Sequence, residues 1–126
     1  MTRTVFEYAV LRVVPRVERG ELINAGVVVY CRANCYVAAL VHLDADRLRA
    51  LDPSVDVAAV YAALRAVEGF CRGGDDAGQA VGDDAGRRFR WVVAPRSTVV
   101  QPGPVHTGLT TDPEAETERL LRLLVR

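Results

Sequence analysis

The sequence predicts an α+β fold: a mainly antiparallel sheet of four to five strands with three helices packed on one face. Three observations carry this. Two β-branched runs, AGVVVYC (25–31) and YVAALVHL (36–43), are separated by only Arg32-Ala33-Asn34-Cys35, a break that suits a hairpin. The helical patterns do not alternate with the strands, so a parallel βαβ layout fits poorly. Half of the 126 residues are apolar and a quarter are charged, an ordinary globular balance. This length corresponds to one domain, 1–126.

The elements follow in order. Residues 5–14, VFEYAVLRVV, are β-rich and apolar on both faces apart from Glu7 and Arg12, which predicts a strand buried on both sides. Pro15 ends it, and Arg16–Glu21 is a charged connection with Gly20 as its turn residue. After the hairpin, Asp44 caps a short helix over 44–51 that stops at Asp52-Pro53. Ser54 or Asp56 caps a longer helix reaching about Arg72. Its apolar positions Val57, Val60, Tyr61, Leu64, Val67 and Cys71 follow helical spacing, and Gly73-Gly74 terminates it.

Residues 73–87 are rich in Gly, Asp and Ala and hold almost no bulky apolar group. Such a segment buries too little surface to offset its ordering entropy, which predicts a mobile loop. RRFRWVVA (87–94) alternates Phe89, Trp91 and Val93 against Arg88 and Arg90, the pattern of a half-buried strand with an arginine-bearing outer face. A short edge strand is expected at 97–101, stopped by Pro102, Gly103 and Pro104. The last helix is well punctuated: Asp112 as N-cap, Pro113 at its first position, Glu114, Glu116 and Glu118 early, and Arg119, Arg122 and Arg126 late.

Composition narrows the function classes. Sixteen basic and sixteen acidic residues cancel, so the basic excess of a phosphate-neutralising nucleic-acid binder is absent. All sixteen basic residues are arginine, which removes lysine Schiff-base and Walker-type chemistry and leaves planar forks suited to carboxylate or phosphate. With Trp91 expected to face the core, a stacking platform for nucleic acid is not anticipated. The N-terminus lacks the pattern of a signal peptide, and no apolar run is long enough to span a bilayer. Cys31, Cys35 and Cys71 form an odd set without CxxC spacing, consistent with reduced thiols in the cytoplasm. No calcium-loop or zinc spacing occurs, and no nucleophile elbow, so neither metal nor cofactor is expected.

Two constellations remain as ligand or anion sites. The first is Arg16, Arg19, Glu21 and Asn24, a turn able to present an anion clamp with a carboxylate as orienter. Arg19 and Glu21 can equally pair with each other while Asn24 shapes the entry to the next strand. The second is the 94–109 loop, where Arg96, Ser97 and Thr98 precede Gln101 and His106. Its polar inventory suits a phosphate or carboxylate, with His106 as acid or base near neutrality. Its prolines, on the other hand, would order such a loop without any ligand. A shared end of the sheet for the 15–24 turn and this loop is the condition under which Arg19, Glu21, Arg96, Ser97 and His106 can converge on one site.

Three stretches carry a family resemblance: FEYAVLRVVPRVERGELINAGVVVYC (6–31), RLRALDP (47–53) and RFRWVVAPRSTVVQPGPVHTGL (88–109). On these the chain resembles a bacterial family known only as domain of unknown function 3037. Carried over, that family's hallmark polar positions fall on Glu7, Arg12, Arg19, Glu21, Asn24, Arg96, Ser97, Gln101 and His106. The resemblance supplies no activity. Its members are often encoded beside a HipA-like protein kinase, which implies an accessory or regulatory protein-interaction module partnering such a kinase. The alternative is a small enzyme or binding domain for a phosphorylated or carboxylated molecule, using an Arg/Glu/His cluster. A homodimer through the edge strand is a further expectation.

Overall fold

The structure, a computed structural model, describes residues 2–73 and 84–126. Its elements run β1 (Thr4–Val13), β2 (Ile23–Cys31), β3 (Tyr36–Val41), α1 (Ala45–Leu51), α2 (Val57–Arg72), α3 (Ala85–Val93), β4 (Val100–Pro102), β5 (His106–Thr110) and α4 (Pro113–Leu124). The α+β class and the antiparallel sheet of four to five strands stand as read, with five strands among the described residues. Strand order is β3-β2-β1, and β1 then pairs on its far side with both β4 and β5.

The hairpin forms because Arg32–Asn34 make one 3-10 turn and Cys35 accepts a left-handed backbone, φ 49°. The strands then pair from Cys31 opposite Tyr36 to Gly26 opposite Val41. β4 and β5 act as one strand interrupted at Gly103-Pro104-Val105. Tyr8 pairs with His106 and Leu11 with Pro102, so three residues on the outer strand face only Ala9 and Val10. That bulge is where two prolines deny the ladder its N–H donors, and Gly103 restores one by donating to the Val10 carbonyl at 2.7 Å.

Among the described residues there are four α-helices where three were predicted, and they do not share a face. Ala9, Leu11 and Val28 pack with Phe89 and Val92 of α3 and Cys71 of α2. Val13, Ile23 and Ala25 pack with Leu48 of α1 and with Val60 and Leu64 of α2. The alternate residues Phe6, Val27, Val29 and Cys31 meet Leu120 and Val125 around α4 instead. Successive side chains on a strand point to opposite faces, so α4 lies across the sheet from the other three helices. An unmatched Ala25 in the β1–β2 ladder shifts the register, which is why Ala25 and Ile23 join the α1/α2 side although Val27 and Val29 face α4.

The fourth helix is the segment read as a strand. Residues 85–93 form α3, capped by Asp84, whose carboxylate accepts from the Arg87 N–H at 2.8 Å. The alternation of Phe89, Trp91 and Val93 was genuine but subordinate. The helical set Phe89, Val92 and Val93 packs onto the sheet, while Trp91 is 64% exposed. Of the 73–87 loop expectation, Gly73 does end α2 and 85–87 belong to α3; residues 74–83 lie outside the described residues. The edge strand sits at Val100–Pro102 rather than 97–101. The caps at Asp44 and Asp112 are as predicted, and of the two candidates Ser54 and Asp56 it is Asp56 that caps α2; each carboxylate accepts a first-turn N–H. No described helix is long and apolar enough to cross a membrane.

Candidate functional site

The two predicted constellations meet only in part: Arg19 and Arg96 are each engaged locally, while Asn24 and Gln101 come into one row. Arg19 Nε donates to Glu21 at 2.6 Å, and this hydrogen bond, with Glu21's charge, raises the Arg19 pKa. Arg16 likewise pairs with Glu18 at 3.1 Å. Each cation of the turn is thus matched by a carboxylate two residues on, in the exposed connection between β1 and β2. Arg96 turns back on α3, donating to the carbonyls of Trp91 and Ala94 with its guanidinium over the Trp91 ring. It caps a helix C-terminus. Ser97 is exposed beside it, and Val99 accepts from the Val14 N–H, so this part of the loop and the 15–24 turn do leave the same end of the sheet. His106 lies elsewhere: it opposes Tyr8, five residues back along β1 from Val13 and about 17 Å away at strand rise.

What the fold does bring together is a row of polar residues across three strands. Asn24 pairs with Arg12 on β1, and Arg12 pairs with Gln101 on β4. Directly opposed residues share a face, so the three side chains emerge side by side on the α4 side of the sheet. Asn24 Nδ2 donates to the Leu124 carbonyl at the end of α4, 3.1 Å away. Val10, Tyr8 and His106 continue the same face, with the Tyr8 and His106 rings 5.3 Å apart. α4 packs on β2 and β3. Beyond β2 and β3, Phe6 of β1 is buried against Leu120 and Val125 with Tyr8 beside it, and the rest of the β1/β4/β5 half, from Val10 to Gln101 and His106, is less covered.

Arg12 is the unusual member. Its Nε is buried with no hydrogen-bond partner among the described residues. The guanidinium lies against the backbone of Gly103, where an added Cβ would come within 3.0 Å of Cζ and 3.1 Å of Nε and Nη2. Any larger residue there would make the guanidinium give by a few tenths of an ångström. Leaving one buried donor unsatisfied costs on the order of 1–3 kcal/mol.

The opposite face holds a cleft of about 1170 Å³ between α3 and the sheet, with Glu7, Tyr30, Arg32, Arg90 and Thr107 among its walls. Arg90 Nη2 donates to both Glu7 oxygens, at 2.9 and 2.7 Å. A smaller apolar groove of about 230 Å³ runs between α2, α3 and β4, bordered by Phe70, Trp91 and Arg96. Site reasoning from the sequence missed both, because each depends on α3 being a helix. The exposure of Trp91 also removes the reason for setting a stacking role aside. No group of three or more potential metal ligands occurs among the described residues.

Residues 8–125 match the model of a family described as protein of unknown function, DUF3037. The chain belongs to that family. No curated protein and no solved structure matches it. In this DUF3037 protein the resemblance's polar positions therefore divide three ways. Glu7 lines the cleft; Arg12, Asn24, Gln101 and His106 lie on the α4-side face; Arg19, Glu21, Arg96 and Ser97 lie in the connections at one sheet end.

Proposed function

We propose that this DUF3037 protein is an accessory protein-interaction module that presents the half of its sheet not covered by α4 to a protein partner. One observation carries the reading. The β1/β4/β5 half-face displays Tyr8, Val10, Arg12, Gln101 and His106 together, a mixture of aromatic, apolar and arginine side chains suited to a partner-binding patch. By the family resemblance the partner is a HipA-like kinase, and the setting is the bacterial cytoplasm. Co-expression with the neighbouring kinase tests this. The two proteins should co-elute at micromolar concentration, and Val10→Glu should separate them without unfolding the domain. Separate elution of the wild-type pair, with kinase activity unchanged, refutes the reading.

The cleft over the Glu7–Arg90 pair supports a second reading, a binding domain for a phosphorylated or carboxylated small molecule. Its volume suffices for such a ligand and its walls offer Arg32, Tyr30 and Thr107. A thermal-shift screen with nucleotides and phosphates addresses it, since ligand at 100 times its Kd stabilises by about 2.7 kcal/mol. Absence of any shift across the screen removes this second reading.

A further inference from the structure

We infer that Arg12, flanked by Asn24 and Gln101, is a binding site for a carboxylate brought from outside the fold. The inference rests on the reading of the α4-side half-face as a binding surface, and it names the chemistry that surface recognises.

Charge complementarity is the first argument. The residues of β1, β4 and β5 that share this face are Thr4, Phe6, Tyr8, Val10, Arg12, Gln101, His106, Gly108 and Thr110, with Asn24 from β2 beside them. None is acidic. Six other arginines each meet a carboxylate of the fold: Arg16, Arg19, Arg49, Arg65, Arg90 and Arg119 all form ion pairs. Arg12 makes no ion pair and no hydrogen bond with any described residue, although it is more buried than any of those six. A half-buried cation is normally matched by an anion, and this face supplies none.

Geometry is the second argument. The Gly103 backbone holds the guanidinium from one side and Nε is sealed, so the exposure that Arg12 retains belongs to the rest of the side chain. A pre-positioned planar fork loses little freedom on accepting a planar carboxylate. Asn24 commits one amide hydrogen to Leu124 and keeps the other, and the Gln101 side chain has no described partner, so each has an N–H for an acceptor between them. Val10, next along the same face, offers an apolar surface for the group that carries the carboxylate.

The carboxylate has two sources with the same chemistry, a free organic acid or an acidic side chain of the partner protein. The test uses isotope-labelled full-length protein titrated with sodium acetate, succinate and inorganic phosphate, against sodium chloride at matched ionic strength. Acetate and succinate should give saturable shifts in the Arg12 Nε–H signal and in the Asn24 and Gln101 side-chain amides, with Kd in the millimolar range. Chloride should give none. In Arg12→Met the Asn24 and Gln101 shifts should vanish while the rest of the spectrum stays dispersed. Arg12→Lys, which keeps the charge and loses the fork, should weaken binding at least tenfold and covers the case in which the Met variant does not fold. Unsaturable shifts, or Asn24 and Gln101 shifts that persist in Arg12→Met, overturn the inference. A stronger response to phosphate than to either carboxylate overturns the ligand class.

The kinase complex separates the sources and the two claims. If Arg12→Met weakens the complex tenfold and succinate competes with the kinase, the partner supplies the carboxylate. If the acids bind and the complex ignores Arg12, the source is a free acid. A complex broken by Val10→Glu, with no carboxylate shift at Arg12, defeats this inference and leaves the interaction reading standing. Carboxylate shifts without any complex do the reverse.

Discussion

Phe89 and Trp91 are two residues apart, and their truncation distinguishes a helix from a strand at 85–93. On a strand they would face the same way and both would be buried, so Phe89→Ala and Trp91→Ala would cost similar amounts. On α3 they lie about 200° apart around the axis. Phe89 is completely buried, with its ring 5.3 Å from that of Tyr30. Removing it should cost about 3–5 kcal/mol, the range for a buried phenylalanine that leaves a cavity. For a domain of this size the whole stability is roughly 6–19 kcal/mol. Trp91 is 64% exposed and keeps only its flank on Phe70 and its stacking with Arg96. Its truncation should cost about 1 kcal/mol at most, the value of an exposed cation–π contact plus ordinary surface effects. Urea denaturation followed by circular dichroism reads both. With a slope of about 1–3 kcal/mol per molar, Phe89→Ala should lower the midpoint by about 2 M and Trp91→Ala by a small fraction of that. Equal losses, or a larger one at Trp91, would refute the helical placement and with it both cavities that α3 borders.

Asp112→Ala removes the carboxylate that accepts from the Ala115 N–H at 3.2 Å, and a lost N-cap should lower Tm by several degrees, about 1 kcal/mol, in a calorimetric scan. A thiol reagent should label Cys35 alone in the native protein and all three cysteines in denaturant, because Cys31 and Cys71 are buried. Burial pushes the Cys71 pKa from 9.0 up to about 12. Above pH 9 the unfolded chain therefore loses this proton first, so stability is retained below pH 9 and falls as pH rises toward 12. Cys71→Ala should flatten that alkaline decline in urea titrations; an unchanged slope would show that burial there is not responsible. Gly26→Ala would place a Cβ 2.8 Å from the Leu40 carbonyl oxygen, and this forced separation of β2 from β3 should cost at least 1–3 kcal/mol, seen as a lower urea midpoint.

The parts of the fold legible in the sequence are those set by local chemistry. Asp44, Asp112 and the choice of Ser54 or Asp56 announced three helices because an N-cap is a contact between near neighbours. The hairpin was legible from two β-branched runs and a four-residue break. The segment 85–93 was not, because Arg88-Phe89-Arg90-Trp91 satisfies a period of two as well as 3.6, and only packing decides between them. Phe89 and Val92 both reach the core from a helix, whereas a strand would bury Trp91 and Val93 with Phe89 and turn Val92 outward. The Asp84 cap was the one local signal that could have tipped the balance. The site was less legible for a similar reason. Whether Arg19, Glu21, Arg96 and Ser97 share one sheet end was left open by the sequence, and the ion pair and helix cap that occupy Arg19, Glu21 and Arg96 are local. The Asn24–Arg12–Gln101 row depends on two registers, and its β1–β2 half follows a bulge that no composition rule predicts.

Why half of one sheet face stays open follows from dimensions. Neighbouring strands are about 4.8 Å apart, so β3, β2, β1 and the β4/β5 line make a sheet roughly 19 Å across. A helix with its side chains is about 10 Å wide and covers two strands. On one face α2 and α3 lie against β3, β2 and β4, with α1 closing the Val13 end, which suffices to bury Ala9, Leu11 and Val13. On the other face α4 alone covers β2 and β3 and extends over β1 only at Phe6, with Tyr8 at its margin. The residues under it, Val27, Val29 and Cys31, are fully buried and apolar. Of those beyond it on the same face, Tyr8, Arg12, Gln101 and His106 carry a group that water can satisfy, and Val10 does not. A sheet face left open by a missing helix would otherwise be an apolar liability. Here the polar side chains make it tolerable in water without making it inert, since the apolar stem of Arg12, the Tyr8 ring and Val10 still gain from being covered. The same arithmetic that leaves the face open also fixes its size at two strands, the width of one helix or one extended segment from a partner.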